Sequence, residues 1–139
     1  MQKLEPAPKR LSRIIYVEDD DLIADVVKEL LADAGYLIGV IEHGTLAYET
    51  IAFKKPDLVI LDRSLPGMQG LEILQRLRTT PDTYLIPVLM LTGAGGDEKV
   101  DEGLGAGADG YLVKPFNPEM LVEKVADILK NSLFRKSNR

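Results

Sequence analysis

Leu58-Val59-Ile60-Leu61-Asp62-Arg63-Ser64-Leu65-Pro66-Gly67-Met68-Gln69-Gly70 shows the fold most plainly. Its first four residues are aliphatic without interruption, the pattern of a strand buried on both faces. The run ends at Asp62, and Pro66, Gly67 and Gly70 mark a loop. Leu71, Ile73, Leu74 and Leu77 then recur at helical spacing. The same unit repeats towards the N-terminus. Ile14-Ile15-Tyr16-Val17 reads as a buried strand, and Ile23, Val26, Val27, Leu30, Leu31 and Ala34 as the apolar face of a helix that Gly35 stops. Leu37 to Ile41 reads as another strand, with a short helix over about 45–53. Towards the C-terminus, Pro87 to Leu91 and Tyr111-Leu112-Val113 read as strands. A helix is predicted over 97–107, though it carries Gly103, Gly105 and Gly107. Asn117, Pro118 and Glu119 suit an N-cap, a first-turn proline and a first-turn acid. They open a last helix with Met120, Leu121, Val125, Ile128 and Leu129 inward. Five strands alternating with helices predict an α/β fold, a parallel sheet covered on both faces.

Composition agrees and narrows the function. The chain has 139 residues, enough for one sizeable core but not for two full domains. Cysteine is absent, which excludes disulfides, thiolate metal sites and a cysteine nucleophile. There is no apolar signal-peptide stretch, and the run Leu85 to Leu91 is too short to span a bilayer, so a cytoplasmic protein without membrane contact is expected. Charge is uneven. Residues 1–13 carry +3, residues 130–139 carry +4, and the body between them carries −12. An acidic body argues against a DNA-binding face and fits a divalent cation or basic partners. The basic ends read as solvated, flexible termini.

In parallel sheets of this kind, sites form at the carboxyl ends of the strands. Here those ends carry Glu18-Asp19-Asp20-Asp21, Asp62, Thr92 and Lys114-Pro115. Two carboxylates ~5 Å apart repel by roughly 3 kcal/mol at an effective dielectric of 20. Glu18, Asp19 and Asp62 together therefore call for a cation, and oxygen donors suit a hard ion such as Mg²⁺. Lys114 adds positive charge and Thr92 a hydroxyl. A carboxylate, Mg²⁺, a lysine and a hydroxyl are the parts that phosphoryl transfer onto aspartate requires. Asp20 and Asp21 read as helix caps. His43, the single histidine, reads as a surface residue.

The ordered set IIYVEDD, PDLVILDRSLPGMQGLE, PVLMLTG and GADGYLVKPF resembles the receiver domain of two-component response regulators. The match runs over about 14–130. It holds in spacing, with 43 residues from Asp19 to Asp62, 30 more to Thr92 and 22 more to Lys114. The resemblance implies a doubly wound, flavodoxin-like sheet in the order 2-1-3-4-5 with five helices. It implies Asp62 as phosphoacceptor from a sensor histidine kinase or a histidine phosphotransfer protein. Glu18, Asp19, Asp62 and the Ser64 carbonyl would hold Mg²⁺, Asp19 directly and Glu18 through water. Lys114 would pair with a phosphoryl oxygen, before a cis peptide to Pro115. Thr92 would bond the phosphoryl group, and Tyr111 would follow it inward as the switch aromatic. The domain would catalyse its own phosphorylation and dephosphorylation without being a conventional enzyme.

Four positions depart from the family's pattern or bear on its tuning. Arg63 places a cation after the acceptor, where small or apolar residues are frequent; it either eases the charge at the site, meets a partner, or is solvated. Gly93 stands where alanine is usual. Ser64 and Ala94, at positions that tune phosphoryl lifetime, are both small and uncharged. Gly93-Ala94-Gly95-Gly96 fails as a dinucleotide fingerprint because Glu98 stands where a third glycine is needed. Ser64 likewise replaces the second aspartate that a haloacid-type phosphatase would want. The glycines predict a weak helix at 97–107, one that phosphorylation orders. The expected organisation is a basic arm at 1–13, the receiver at 14–130 and a basic tail at 131–139 with no output domain. Output would then pass by protein–protein contact through the face of the 97–107 helix, the fifth strand and the last helix, which could also pair two copies. A piece of a larger regulator and a non-phosphorylated pseudo-receiver are the alternatives.

Overall fold

The computed structural model describes residues 11–65, 67–93 and 105–137. Five strands, β1 (Arg13–Val17), β2 (Leu37–Ile41), β3 (Leu58–Asp62), β4 (Val88–Thr92) and β5 (Gly110–Val113), form one parallel sheet in the order β2-β1-β3-β4-β5. The described helices are α1 (Asp21–Asp33), α2 (Gly44–Lys54), α3 (Gly70–Arg78) and α4 (Pro118–Ser137). The doubly wound sheet and its order are as expected. Residues 97–104 of the glycine-rich predicted helix, and Ala94, lie outside the described residues.

The period-two alternation of strand side chains divides the core in two. Ile14, Tyr16, Leu58, Ile60, Leu89, Leu91 and Leu112 face α1 and α4. Ile15, Val17, Val59, Leu61, Val88 and Met90 face α2 and α3. Both faces are dry, which explains the unbroken apolar runs of the central strands.

Local signals place the helices that frame the carboxyl edge. Asp20 caps α1, accepting from the Leu22 and Ile23 N–H groups at 3.0 and 3.2 Å. Asp21, also read as a cap, instead takes the first turn of α1. Gly35 ends α1 with φ +99, the left-handed conformation that glycine reaches without strain. The Asn117 side chain accepts from the Glu119 N–H at 2.8 Å and caps α4 as predicted. Gly70 is demanded by close approach, because a Cβ there would lie 2.3 Å from the Asp62 carbonyl oxygen. That approach seats the start of α3 against the end of β3.

Three expectations change. Val26 and Met120, read as inward, are 63% and 49% exposed. Val26 joins Leu22, Ile23 and Phe116 around an open apolar hollow of about 510 Å³ that reaches Lys114. α4 runs through Ser137, so most of the expected tail from 131 is helical. Its Lys, Arg, Leu and Ser residues offer no helix breaker. β1 starts at Arg13, inside the expected arm, because its backbone N–H donates to Asp57 Oδ2 at 2.8 Å and its guanidinium donates to the Lys54 carbonyl. Among the described residues, no helix is long and apolar enough to cross a membrane.

Candidate functional site

Strand parity assembles the carboxyl edge. Glu18 continues the alternation of Ile14 and Tyr16, Asp62 that of Leu58 and Ile60, and Lys114 that of Leu112. All three therefore lie towards the α1 and α4 side of the sheet. β1 pairs with β3 and β3 with β4, so the ends bearing Glu18 and Asp62 are adjacent. Lys114 reaches them from beyond β5, after which the peptide to Pro115 is cis. Its Nζ donates to Glu18 Oε1 and to Asp62 Oδ2, both at 2.9 Å. Glu18 is 1% exposed and Asp62 6% exposed, so the pairing takes place largely out of water.

Asp62 has a second anchor, because its Oδ1 accepts from the Ser64 N–H at 3.1 Å. Asp19 is exposed on the outer side of the cluster. Glu18, Asp19 and Asp62 each offer a carboxylate oxygen, and these three atoms lie within 4.8 Å of one another. A net negative, all-oxygen donor set with one solvent-facing member fits a hard divalent cation.

Burial sets the proton affinities. It lifts Glu18 above the ordinary glutamate range, and the neighbouring Asp62 carboxylate adds to this, while the bonds from Lys114 and Tyr16 oppose it. For Lys114, burial pulls the ammonium down, but the bonds to Glu18 and Asp62 outweigh it and the net shift is upward. A raised Glu18 pKa means that the folded chain binds more protons than the unfolded chain in that window. Metal-free stability from this group is therefore full below the ordinary glutamate pKa and is lost as pH rises through the raised value. Urea unfolding in EDTA between about pH 4 and 8 is expected to show a flatter profile for Glu18→Gln than for the native chain. Parallel profiles would contradict this.

The other predicted residues lie towards the opposite side. Thr92 continues the alternation of Val88 and Met90 at the end of β4, and it is buried. Tyr111 pairs with Met90 in the β4–β5 register, one pleat below Thr92. It is half-buried against the α2 and α3 core. Arg63, next to the acceptor, is on this side too, and its Nη1 donates to the Tyr111 hydroxyl at 3.2 Å. The solvated reading of Arg63 is thereby replaced by a contact within the chain. A Cβ at Gly93 would meet nothing within 4 Å, so crowding does not explain that glycine. His43 is exposed at the start of α2, as expected.

One site residue was not foreseen. Tyr16 is fully buried, and its hydroxyl donates to Glu18 Oε1 at 2.8 Å. Burial first, and then the Glu18 carboxylate, push its phenol far above the ordinary tyrosine range, so it stays a donor. The available signal was the i, i+2 spacing of a phenol and an acid at a strand end.

Comparison with known proteins identifies the family and supports the fold. The sequence profile of the response regulator receiver domain matches residues 14–126. The phosphate regulon transcriptional regulatory protein PhoB of Rhizobium meliloti is 36% identical over 122 residues, covering 88% of this chain and 54% of PhoB. The DNA-binding response regulator MtrA of Mycobacterium tuberculosis is 38% identical over 120 residues, covering 86% of this chain and 51% of MtrA. The chain thus spans about half the length of these curated relatives. Among solved structures, the chemotaxis response regulator CheY4 of Vibrio cholerae superposes with a TM-score of 0.80 at 34% identity, covering 86% of this chain and 99% of CheY4. A CheY-like receiver domain protein of Methanospirillum hungatei gives 0.84 at 31% identity, covering 91% and 99%. With the profile spanning residues 14–126 and the parallel sheet in the order β2-β1-β3-β4-β5, this chain belongs to the response regulator receiver domain family of two-component signalling.

Proposed function

We propose that this domain accepts a phosphoryl group on Asp62 from the phosphohistidine of a sensor kinase or a phosphotransfer protein. Receiver domains generally carry a phosphoryl group on aspartate and bind Mg²⁺. The observation that carries the reading for this chain is Lys114 Nζ, held 2.9 Å from both Glu18 and Asp62 at the carboxyl edge. Here the ammonium offsets the charge of a buried nucleophile and a buried metal-ligand candidate together.

In the transfer, an Asp62 carboxylate oxygen bonds to phosphorus as the P–N bond to the donor imidazole breaks, and the imidazole leaves with its electron pair and takes up a proton. Glu18, Asp19, Asp62 and the Ser64 carbonyl would hold Mg²⁺, which neutralises charge on the phosphoryl oxygens when bound. Lys114 then shifts part of its contact from Glu18 and Asp62 to a phosphoryl oxygen. The Thr92 hydroxyl donates to another, and Tyr111 follows Thr92, biasing a two-state equilibrium. The apolar hollow beside Lys114 gives the phosphodonor protein a surface to rest on. The working unit runs from β1 at Arg13 into α4, and output passes to a protein target through the face that includes β5 and α4. Regulation of transcription and DNA binding, as the names of PhoB and MtrA state, are properties of those longer proteins.

Beryllofluoride, a phosphoryl mimic, tests the reading without a partner kinase. Fluorine NMR is expected to show bound resonances with Mg²⁺ present and none after EDTA. Thermal unfolding is expected to rise with Mg²⁺, by about 2.7 kcal/mol of stability at a hundredfold excess over the dissociation constant. A folded chain that binds neither Mg²⁺ nor beryllofluoride would leave a pseudo-receiver.

A further inference from the structure

We infer that Tyr16 is a positioning residue for the divalent-cation site, holding the Glu18 carboxylate by Oε1 so that Oε2 is presented to the ion. The inference rests on the reading of the Glu18, Asp19 and Asp62 cluster as a cation site.

The residue type is the first indication. Tyr16 lies on the sheet face otherwise built from Ile14, Leu58, Ile60, Leu89 and Leu91. Burying a phenolic hydroxyl among aliphatic side chains is unfavourable unless it is hydrogen-bonded, and phenylalanine would fill the same space without that cost. The hydroxyl finds its acceptor two residues along the same strand face, in Glu18 Oε1 at 2.8 Å.

Division of labour on Glu18 is the second. Oε1 takes both the Tyr16 hydroxyl and Lys114 Nζ, at 2.8 and 2.9 Å. Oε2 takes no such donor: it meets the Asp20 N–H at 3.5 Å, and the carboxylate lies against the Asp62 carboxylate, its fellow member of the cation cluster. The carboxylate is therefore gripped by two strong donors on one oxygen, which leaves the other without one. A ligand's outer partner fixes its orientation, and removing such partners weakens metal binding.

The third is that the two grips are not equivalent. Lys114 is shared with Asp62, and in the proposed transfer it turns towards a phosphoryl oxygen. Tyr16 is fully enclosed in the core and cannot follow. When Lys114 loosens its hold on Glu18, Tyr16 remains, keeping the ligand in place through the transfer.

The test is Mg²⁺ binding by calorimetry on the native chain, Tyr16→Phe, Tyr16→Leu, Glu18→Ala and the Tyr16→Phe/Glu18→Ala pair, each confirmed folded in EDTA. Tyr16→Phe and Tyr16→Leu are expected to weaken Mg²⁺ binding about tenfold. In the Glu18→Ala background, Tyr16→Phe is expected to change it less than about twofold, because the hydroxyl acts through Glu18. Equal affinity in the native chain and Tyr16→Phe would overturn the inference while leaving the cation site standing. An equal loss with and without Glu18 would also overturn it, by showing a general effect on the fold. A native chain that binds no Mg²⁺ would overturn both the inference and the cation-site reading. Independently of any variant, the Tyr16 hydroxyl proton is expected to give a resolved, slowly exchanging NMR resonance that persists on adding Mg²⁺. Its loss with Mg²⁺ would contradict the grip.

Discussion

Asp62→Asn is expected to abolish phosphoryl uptake from acetyl phosphate while leaving the domain folded. The side chain keeps its shape, and an amide oxygen can still accept from the Ser64 N–H, which now lies 3.1 Å from Oδ1. The nucleophile is lost, since an amide oxygen carries no charge to form the acyl phosphate, and the ion pair to Lys114 goes with it. A loss of more than about a thousandfold in rate, or over about 4 kcal/mol in barrier, corresponds to no detectable adduct on the time scale of the native reaction. The check is intact mass of native and variant chains treated side by side with Mg²⁺. An adduct of equal occupancy on Asp62→Asn would move the acceptor elsewhere, with Asp19, whose carboxylate shares the cluster, the first candidate.

Lys114→Met is expected to slow phosphorylation by about a hundred- to a thousandfold, the usual consequence of removing one preorganised group that meets developing charge. Methionine keeps most of the apolar stem and removes the ammonium. Two buried carboxylates then lose the cation that bridges them, at 2.9 Å each. Leaving a charge buried and unpaired is costly, so the metal-free variant is also expected to be less stable than the native chain. Mg²⁺ would compensate part of that loss in stability without restoring the rate. Separate measurement of the unfolding midpoint and the single-turnover rate distinguishes the two effects. A native rate in the folded variant would remove Lys114 from the phosphoryl-transfer machinery.

The sequence was most legible where one periodicity dominated. Leu58 to Leu61 could only be a strand buried on both faces, and it is. Gly35, Asp20 and Asn117 each carried a specific backbone requirement, and each meets it. The convergence of Glu18, Asp62 and Lys114 was legible because parallel strands bring their carboxyl ends to one edge.

Contacts across elements were less legible. Val26 and Met120 fit helical periodicity, yet both border solvent, because a helix packs over a narrower stripe than its apolar residues cover. Tyr16 looked like ordinary core, and its hydroxyl's acceptor emerged only with Glu18 turned back over the strand end. Arg63 had three open readings, and the bond to Tyr111 depends on the β3–β4–β5 register, which no local pattern encodes. The end of α4 was misplaced for a related reason. Basic residues from Lys130 onward suggested a solvated tail, but charge does not terminate a helix that meets no glycine or proline after its first-turn Pro118.

Whether Asp62 itself carries the phosphoryl group is tested most directly by reductive trapping. The native chain is phosphorylated with acetyl phosphate and Mg²⁺, the acyl phosphate is reduced with borohydride, and the chain is digested and mapped by mass. The expected result is reduction of Asp62 to homoserine, dependent on Mg²⁺ and absent after EDTA. Reduction at Asp19, Asp20 or any other carboxylate, or none in a chain confirmed folded and Mg²⁺-bound, would contradict it.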